Sequence, residues 1–171
     1  RVKQQSEELA QLMSLETGRP MWDCREEVEA MGHVLDYSLR AYSDRTAQRR
    51  IEGKAQIQRS AVRHKPHGVV AIITPYSSPG LVALGQIIPA LIAGNAIIWK
   101  PSERTPAFAE AVGALAEKAK FPDGLIQIVQ GRADVAKALV MADPVRAIFF
   151  SGSAHAGLSL HKQLGGRPDK T

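Results

Sequence analysis

After His67 the sequence settles into a rhythm that leaves few folds open: short, wholly apolar runs alternate with longer stretches of helical periodicity. Residues 68–74 (GVVAIIT), 96–99, 125–129 and 147–150 have strand length, and residues 81–93, 106–120, 134–141 and 154–164 read as helices. In the second of these helices Phe108, Val112, Leu115 and Ala119 fall on one face. Strands that are apolar throughout, with no polar alternation, must be covered on both faces, and that is the situation of a parallel sheet flanked by helices. Each intervening helix also supplies the crossover that parallel neighbours require. The expectation is an α/β fold with a doubly wound parallel sheet.

The first third of the chain differs in texture. Residues 4–17 carry Leu9, Leu12 and Met13 at helical spacing, and Gly18-Arg19-Pro20 supplies a glycine cap followed by a proline stop. Residues 22–45 read as one long helix with Val28, Met31, Val34, Leu35, Leu39 and Tyr42 on a single face. Residues 51–64 alternate (Ala55, Ile57, Ser60, Val62) as a half-exposed strand or hairpin arm would. The predicted organisation is an N-terminal helical segment with a connecting strand over residues 1–64, in the same domain as a Rossmann-like core over residues 65–171. The chain opens at Arg1 within a helix-like pattern, which predicts a piece of something larger.

Charge and cysteine content narrow the function classes. The net charge of +5 comes from basic residues spread along the chain, with only a loose concentration over residues 45–67, and no groove-reading motif or aromatic interleaving accompanies it. A solvated basic face is expected, and a nucleic-acid partner is not. The single cysteine, Cys24, excludes a disulfide framework and any multi-cysteine zinc site, so a reducing cytoplasm is the expected setting. The most apolar stretch, residues 81–99, is interrupted by Gln86, Pro89, Gly94 and Asn95, so a helix followed by a buried strand is expected and a membrane span is not.

In an open parallel sheet, ligands bind beyond the carboxyl ends of the strands. Those four ends read Thr74-Pro-Tyr-Ser-Ser-Pro-Gly80, Lys100-Pro-Ser-Glu103, Gln130-Gly-Arg132 and Ser151-Gly-Ser153. The last precedes a helix whose free N–H groups and dipole would suit a pyrophosphate, with the Ser153 hydroxyl as a further donor. Lys100 and Glu103 could both reach a ribose, and the carboxylate would repel a 2′-phosphate, which favours NAD over NADP. Each motif also has a plainer reading. Lys-Pro-Ser-Glu could be a helix start with Ser102 as its cap, Ser-Gly-Ser is a common turn, and no G-x-G-x-x-G follows the first strand.

Taken in order, the pieces resemble the aldehyde dehydrogenase family. The resemblance runs from Glu16-Thr-Gly-Arg-Pro20 through Pro66-His-Gly-Val-Val70, Pro75-Tyr76, the 89–95 segment PALIAGN, Lys100-Pro-Ser-Glu103 and Phe121-Pro-Asp-Gly124 to Phe150-Ser-Gly-Ser153 with Gly157. The wording is most similar to bacterial succinylglutamic semialdehyde dehydrogenases of arginine breakdown, through residues 63–68 (RHKPHG), Val129-Gln-Gly131 and residues 160–164 (LHKQL). The resemblance implies NAD-dependent oxidation in which a cysteine thiolate attacks the aldehyde, hydride passes to the nicotinamide and water releases the acid. It further implies that Lys100 and Glu103 hold the adenosine ribose, that Ser153 meets the pyrophosphate, and that Ile73, Thr74, Pro75 and Tyr76 line the cofactor path. Ser102, Gly131, Phe150, Ser151, Gly152 and Gly157 complete that cofactor-binding set.

The departures are specific. Where the family has an oxyanion-stabilising asparagine after Pro-Tyr or Pro-Trp, this chain has Ser77. Loss of such a donor costs roughly 2.7–4 kcal/mol of transition-state stabilisation. Arg132 and Ala136 stand near positions where close relatives have glycine, and Ser151 replaces a threonine. The family's general-base segment and its nucleophile cysteine are absent from these residues, and Cys24 is no substitute because it lies far from any strand end. The chain alone is therefore expected to be inactive, either as the cofactor-binding portion of an enzyme or as a degenerate structural or interaction module. Self-association through uncovered apolar surface is expected in either case.

Overall fold

The structure is a computed structural model that describes residues 2–46, 50–52 and 59–170, with the backbone alone for 50–52 and 59–61. After a short 3-10 turn, Val2–Gln4, come the helices α1 (Ser6–Thr17), α2 (Met21–Met31) and α3 (Val34–Thr46). Strands β1 (Arg50–Glu52) and β2 (Arg59–Ala61) form an antiparallel pair. Then follow β3 (Val69–Ile73), α4 (Leu81–Ile92), β4 (Ala96–Lys100), α5 (Pro106–Lys118), β5 (Ile126–Ile128), α6 (Ala133–Met141), β6 (Val145–Phe150) and α7 (Ala154–Leu164). The α/β expectation holds, with every strand and helix of the 68–164 rhythm present.

The four-stranded sheet has the order β5-β4-β3-β6, and all its neighbours are parallel. The chain winds from β3 outward to β5, then crosses back over β3 to place β6 on its other side. That reversal puts the topological switch point between β3 and β6, where a crevice opens above the carboxyl ends. Strand β3 shows why its sequence is apolar throughout. Val70 and Ile72 enter the core under α4 and α5 with Ile97, Trp99 and Ala147, whereas Ala71 and Ile73 point the other way, toward α6 and α7.

The N-terminal helices stack outside α4 and α5. Leu9, Met13, Cys24, Val28 and Met31 close over Phe108 and Leu115 of α5. Gly18 terminates α1 in the left-handed region (φ 74°), with its N–H bonded to the Ser14 carbonyl, as its sequence position predicts. The single helix expected over 22–45 is instead two. Gly32 closes α2, and the His33 N–H donates to Ala30 before α3 begins. The apolar pattern runs unbroken across this joint, so periodicity conceals it, while glycine, which costs about 1 kcal/mol in a helix interior, permits it. Of the alternating segment 51–64, residues 51–52 belong to β1 and 59–61 to β2, paired antiparallel, and Val62 lies beyond the end of β2; Ala55 and Ile57 lie outside the described residues.

The apolar stretch 81–99 divides as expected into α4 and β4, joined through Gly94 (φ 87°) and the buried Asn95. The Asn95 amide donates to the Ala90 carbonyl and accepts from the Gly68 N–H, which ties the starts of β3 and β4 together. Among the described residues no helix is long and apolar enough to cross a membrane.

A polar clasp fixes residues 167–170 against the α6–β6 corner. Arg167 grips both oxygens of Asp169 at 2.9 and 3.0 Å, and the Lys170 ammonium donates to the carbonyls of Ala142 and Val145. The Arg167 hydrogen bonds hold the Asp169 carboxyl at about 2, below its ordinary 3.8. A depressed carboxylate contributes fully above the ordinary value and is lost as pH falls through the depressed one. The clasp is thus expected to release locally as pH falls from 3.8 toward 2. Chemical shifts of the Arg167 side chain followed by NMR would titrate with the lower midpoint; a midpoint at the ordinary value would mean that the clasp does not form in solution.

Candidate functional site

Above the carboxyl ends of β3, β4 and β6 lies a cleft of about 450 Å³. It is lined by Ile73, Thr74, Pro75 and Tyr76 from the first strand end, Lys100, Ser102 and Glu103 from the second, and Phe150, Ser151, Gly152 and Ser153 from the fourth. Eleven of the fourteen residues singled out in the sequence therefore share one wall-to-wall space. Gly131, Gly157 and Ser77 do not line it.

The three strand ends are laced together by hydrogen bonds. The Thr74 N–H donates to the Lys100 carbonyl, and the Ser151 N–H donates to the Ile73 carbonyl. The fully buried Trp99 donates its indole N–H to the Thr74 hydroxyl at 2.9 Å, and the Gln86 amide reaches from α4 to the Ser151 hydroxyl at 2.7 Å. Such bonds keep the floor of the cleft rigid while leaving its rim to side chains.

Lys100 is the least solvated charged group of the cleft, with only 4% of its surface exposed. Its ammonium donates to the Pro101 carbonyl at 2.7 Å. Burial pushes its pKa below the ordinary lysine value, partly offset by the fields of Glu103 and Asp134. Residues 102–105 form a turn in which the Thr105 N–H donates to the Ser102 carbonyl, and α5 starts only at Pro106. The plainer reading of Ser102 as a helix cap therefore fails, because the capping position belongs to Thr105.

Ser153 is the N-cap of α7, and its hydroxyl accepts from the Ala156 N–H at 3.2 Å. The sequence treated this hydroxyl only as a donor to a ligand. It is first a helix cap, and its O–H proton stays free to donate outward. Gly131 adopts φ 149°, and a Cβ there would collide with the Val135 side chain, so this glycine sets how α6 leaves β5. A Cβ on Gly157 would meet the Phe150 ring, so Gly157 acts behind the wall of the cleft.

Reading along the motifs missed several neighbours. Arg104 lies in the cleft with its guanidinium 4.6 Å from the Tyr76 ring centroid, a cation–π contact that spans the first two strand ends. Lys137 on α6 and His155 on α7 also line it, beside Ala136, which the sequence marks as a departure from a glycine position. Arg104 was within reach of the sequence as the residue next to Glu103. The helical contributors depend on how α6 and α7 are turned, which strand-end motifs do not encode.

Two carboxylates from the outer helices decide which helix ends remain open. Glu27 accepts the N–H groups of Gly80 and Leu81 at the start of α4, and Glu16 accepts those of Ala107 and Phe108 at the start of α5. Both helix dipoles are thereby answered from within the protein. In the first turn of α7 the Ala156 N–H is taken by the Ser153 hydroxyl, which leaves those of Ala154 and His155, among the described residues, to open beside the cleft. Cys24 is buried, and burial pushes its thiol up, which keeps it from acting as a thiolate.

The aldehyde dehydrogenase family profile matches residues 1–170. An N-succinylglutamate 5-semialdehyde dehydrogenase of Sphingopyxis alaskensis is 45% identical over 99% of this chain, which spans 35% of that relative's length. The protein of the same name from Chromobacterium violaceum is also 45% identical, again with 35% of its length spanned. Among solved structures, an aldehyde dehydrogenase of Brucella melitensis superposes with a TM-score of 0.89 at 33% identity over 96% of this chain and 34% of its own. A betaine aldehyde dehydrogenase of Staphylococcus aureus, solved in complex with NAD+, superposes with a TM-score of 0.90 at 28% identity over 99% and 34%. The chain spans about a third of each of these relatives. On the profile match and these identities together, it belongs to the aldehyde dehydrogenase family.

Proposed function

We propose that the chain is the NAD-binding portion of a dehydrogenase that oxidises N-succinylglutamate 5-semialdehyde to its carboxylic acid in the bacterial cytoplasm, with the thioester-forming cysteine outside these residues. The observation that carries the reading is the convergence of Lys100, Glu103 and the open N-terminus of α7 on one cleft at the switch point of the sheet. The donor set fits a dinucleotide. Buried Lys100 supplies a fixed cation and Glu103 accepts from ribose hydroxyls. The α7 N–H groups with the Ser153 O–H answer a pyrophosphate, and the backbone of residues 73–76 lines the path toward the reacting end. Bound NAD would serve as the hydride acceptor.

Ser77 stands where the family's oxyanion donor would be, immediately beyond the Pro75–Tyr76 wall. A serine hydroxyl offers one donor on a shorter arm than a carboxamide, so the oxyanion is stabilised less in any catalytic assembly that uses this loop. Ala136, a cleft-lining residue near a glycine position of close relatives, adds a methyl group on the α6 side, which supports cofactor binding weaker than the family's usual strength. The exposed side chains of Leu15, Trp22 and Leu158 support self-association of the isolated chain.

Calorimetric titration of the 171-residue chain tests the reading. NAD is expected to give a saturable heat with one site per chain, and NADP to bind more weakly because Glu103 opposes the 2′-phosphate. No heat and no thermal shift at millimolar NAD would sink the proposal that cofactor binding is retained.

A further inference from the structure

The wall of the cleft contributed by the first strand end continues into a segment with little support of its own. Residues 75–79 contain two prolines, and among the described residues the only hydrogen bond made to them comes from Arg19, which donates to the Ser77 carbonyl at 3.0 Å. The same guanidinium pairs with Glu27 and with Asp23. Glu27, with 6% of its surface exposed, uses its other oxygen to hold the N–H groups of Gly80 and Leu81 at 3.0 and 2.9 Å. One ion pair, between the α1–α2 turn and α2, thus grips residues 77–81 at both ends.

Arg19 is itself held in place. Its carbonyl accepts from the Ser14 hydroxyl at 2.7 Å, its N–H donates to the Thr17 hydroxyl, and Gly18 and Pro20 fix the turn on either side. The segment also packs closely, since a Cβ on Gly80 would fall 2.3 Å from the Met31 sulfur and 3.0 Å from the Phe108 ring. The Gly18-Arg19-Pro20 motif, which reads in the sequence as a helix stop, therefore aims a guanidinium at a loop 58 positions away.

We propose that Arg19 and Glu27 are positioning residues for the cofactor cleft: they hold residues 77–81, and through them the Thr74–Tyr76 wall, in the shape that accepts a dinucleotide. The proposal rests on reading the cleft as the NAD site. Neither residue lines the cleft, so they act only through the loop. Tyr76 transmits the constraint across the cleft, because its ring is engaged by Arg104 on the second strand end.

The test compares Arg19→Ala and Arg19→Lys with Val28→Ala, a core truncation in the same helix layer that leaves the loop contacts intact. Thermal unfolding, NAD calorimetry and residue-resolved amide exchange are measured on each 171-residue chain. Arg19→Ala is expected to weaken NAD about tenfold, the ratio that loss of one charge-assisted hydrogen bond corresponds to. Arg19→Lys should recover part of that affinity, and Val28→Ala should lower the melting temperature without changing NAD affinity. Equal weakening in Val28→Ala and Arg19→Ala, or none in Arg19→Ala, overturns the proposal. If the parent chain binds no NAD, the cofactor reading fails by itself and amide exchange decides this one. Faster exchange confined to residues 77–81 in Arg19→Ala supports positioning, and a uniform change overturns it.

Discussion

Replacing Glu27 with alanine is expected to lower the unfolding free energy by about 3–5 kcal/mol, read as a lower denaturant midpoint at unchanged slope. The size follows from what the carboxylate touches. Its side chain is 4% exposed, it answers the Arg19 charge, and it accepts two N–H groups at the start of α4. Truncation removes the acceptor of both N–H groups and the more buried of Arg19's two carboxylate partners. Asp23 still faces Arg19 at 2.7 Å, but the N–H groups of Gly80 and Leu81 lose their acceptor, that of Gly80 in a buried position. Glu27→Gln should cost less, because the amide oxygen can keep the helix-end bonds while the ion pair is lost. The exposed pair Arg25–Glu7 is the contrast: with both side chains more than half exposed and screened by water, its removal should leave the denaturant midpoint nearly unmoved. If Glu27→Ala were as mild as Arg25→Ala, the buried network would not exist as drawn.

This network also marks the limit of what the sequence discloses. The sheet, its helices and the cleft were legible because strands buried on both faces must be apolar throughout and ligand-facing residues must follow strand ends. Those rules are local, and they led directly to Lys100, Glu103 and Ser153. Glu16 and Glu27 obey no local rule. Each caps a helix start through N–H groups 91 and 92, or 53 and 54, positions further along the chain, and in the sequence each is one acidic residue among several on an amphipathic helix. The break at Gly32 was hidden for a related reason, since Val28, Met31, Val34 and Leu35 keep their spacing across it. Ser102 was misjudged as a possible cap because the motif ends three residues before the helix does begin. His155 and Lys137 escaped because only the packing of Val140 and Leu160 against Ile73 fixes how α6 and α7 are turned.

The Lys100→Met variant should separate folding from function in opposite directions. NAD affinity is expected to fall about 10- to 100-fold, as for loss of a hydrogen bond from a charged donor. Stability is expected to rise by on the order of 1 kcal/mol, because a buried ammonium carries a desolvation cost of several kcal/mol. The bond to the Pro101 carbonyl, from a charged donor, returns roughly 1.5–3 kcal/mol, less than that cost, so the penalty wins. The depressed pKa of Lys100 gives an independent check on sign. Between its lowered folded value and the ordinary 10.5 the unfolded chain binds the extra proton, so wild-type stability should climb with pH through that window. The methionine variant lacks the group and should lack the climb. Denaturant titrations at neutral and alkaline pH, paired with calorimetry, read both effects. A variant that lost stability and NAD affinity together would show that Lys100 is a structural cation; gained stability with unaltered NAD binding would remove it from the cofactor site.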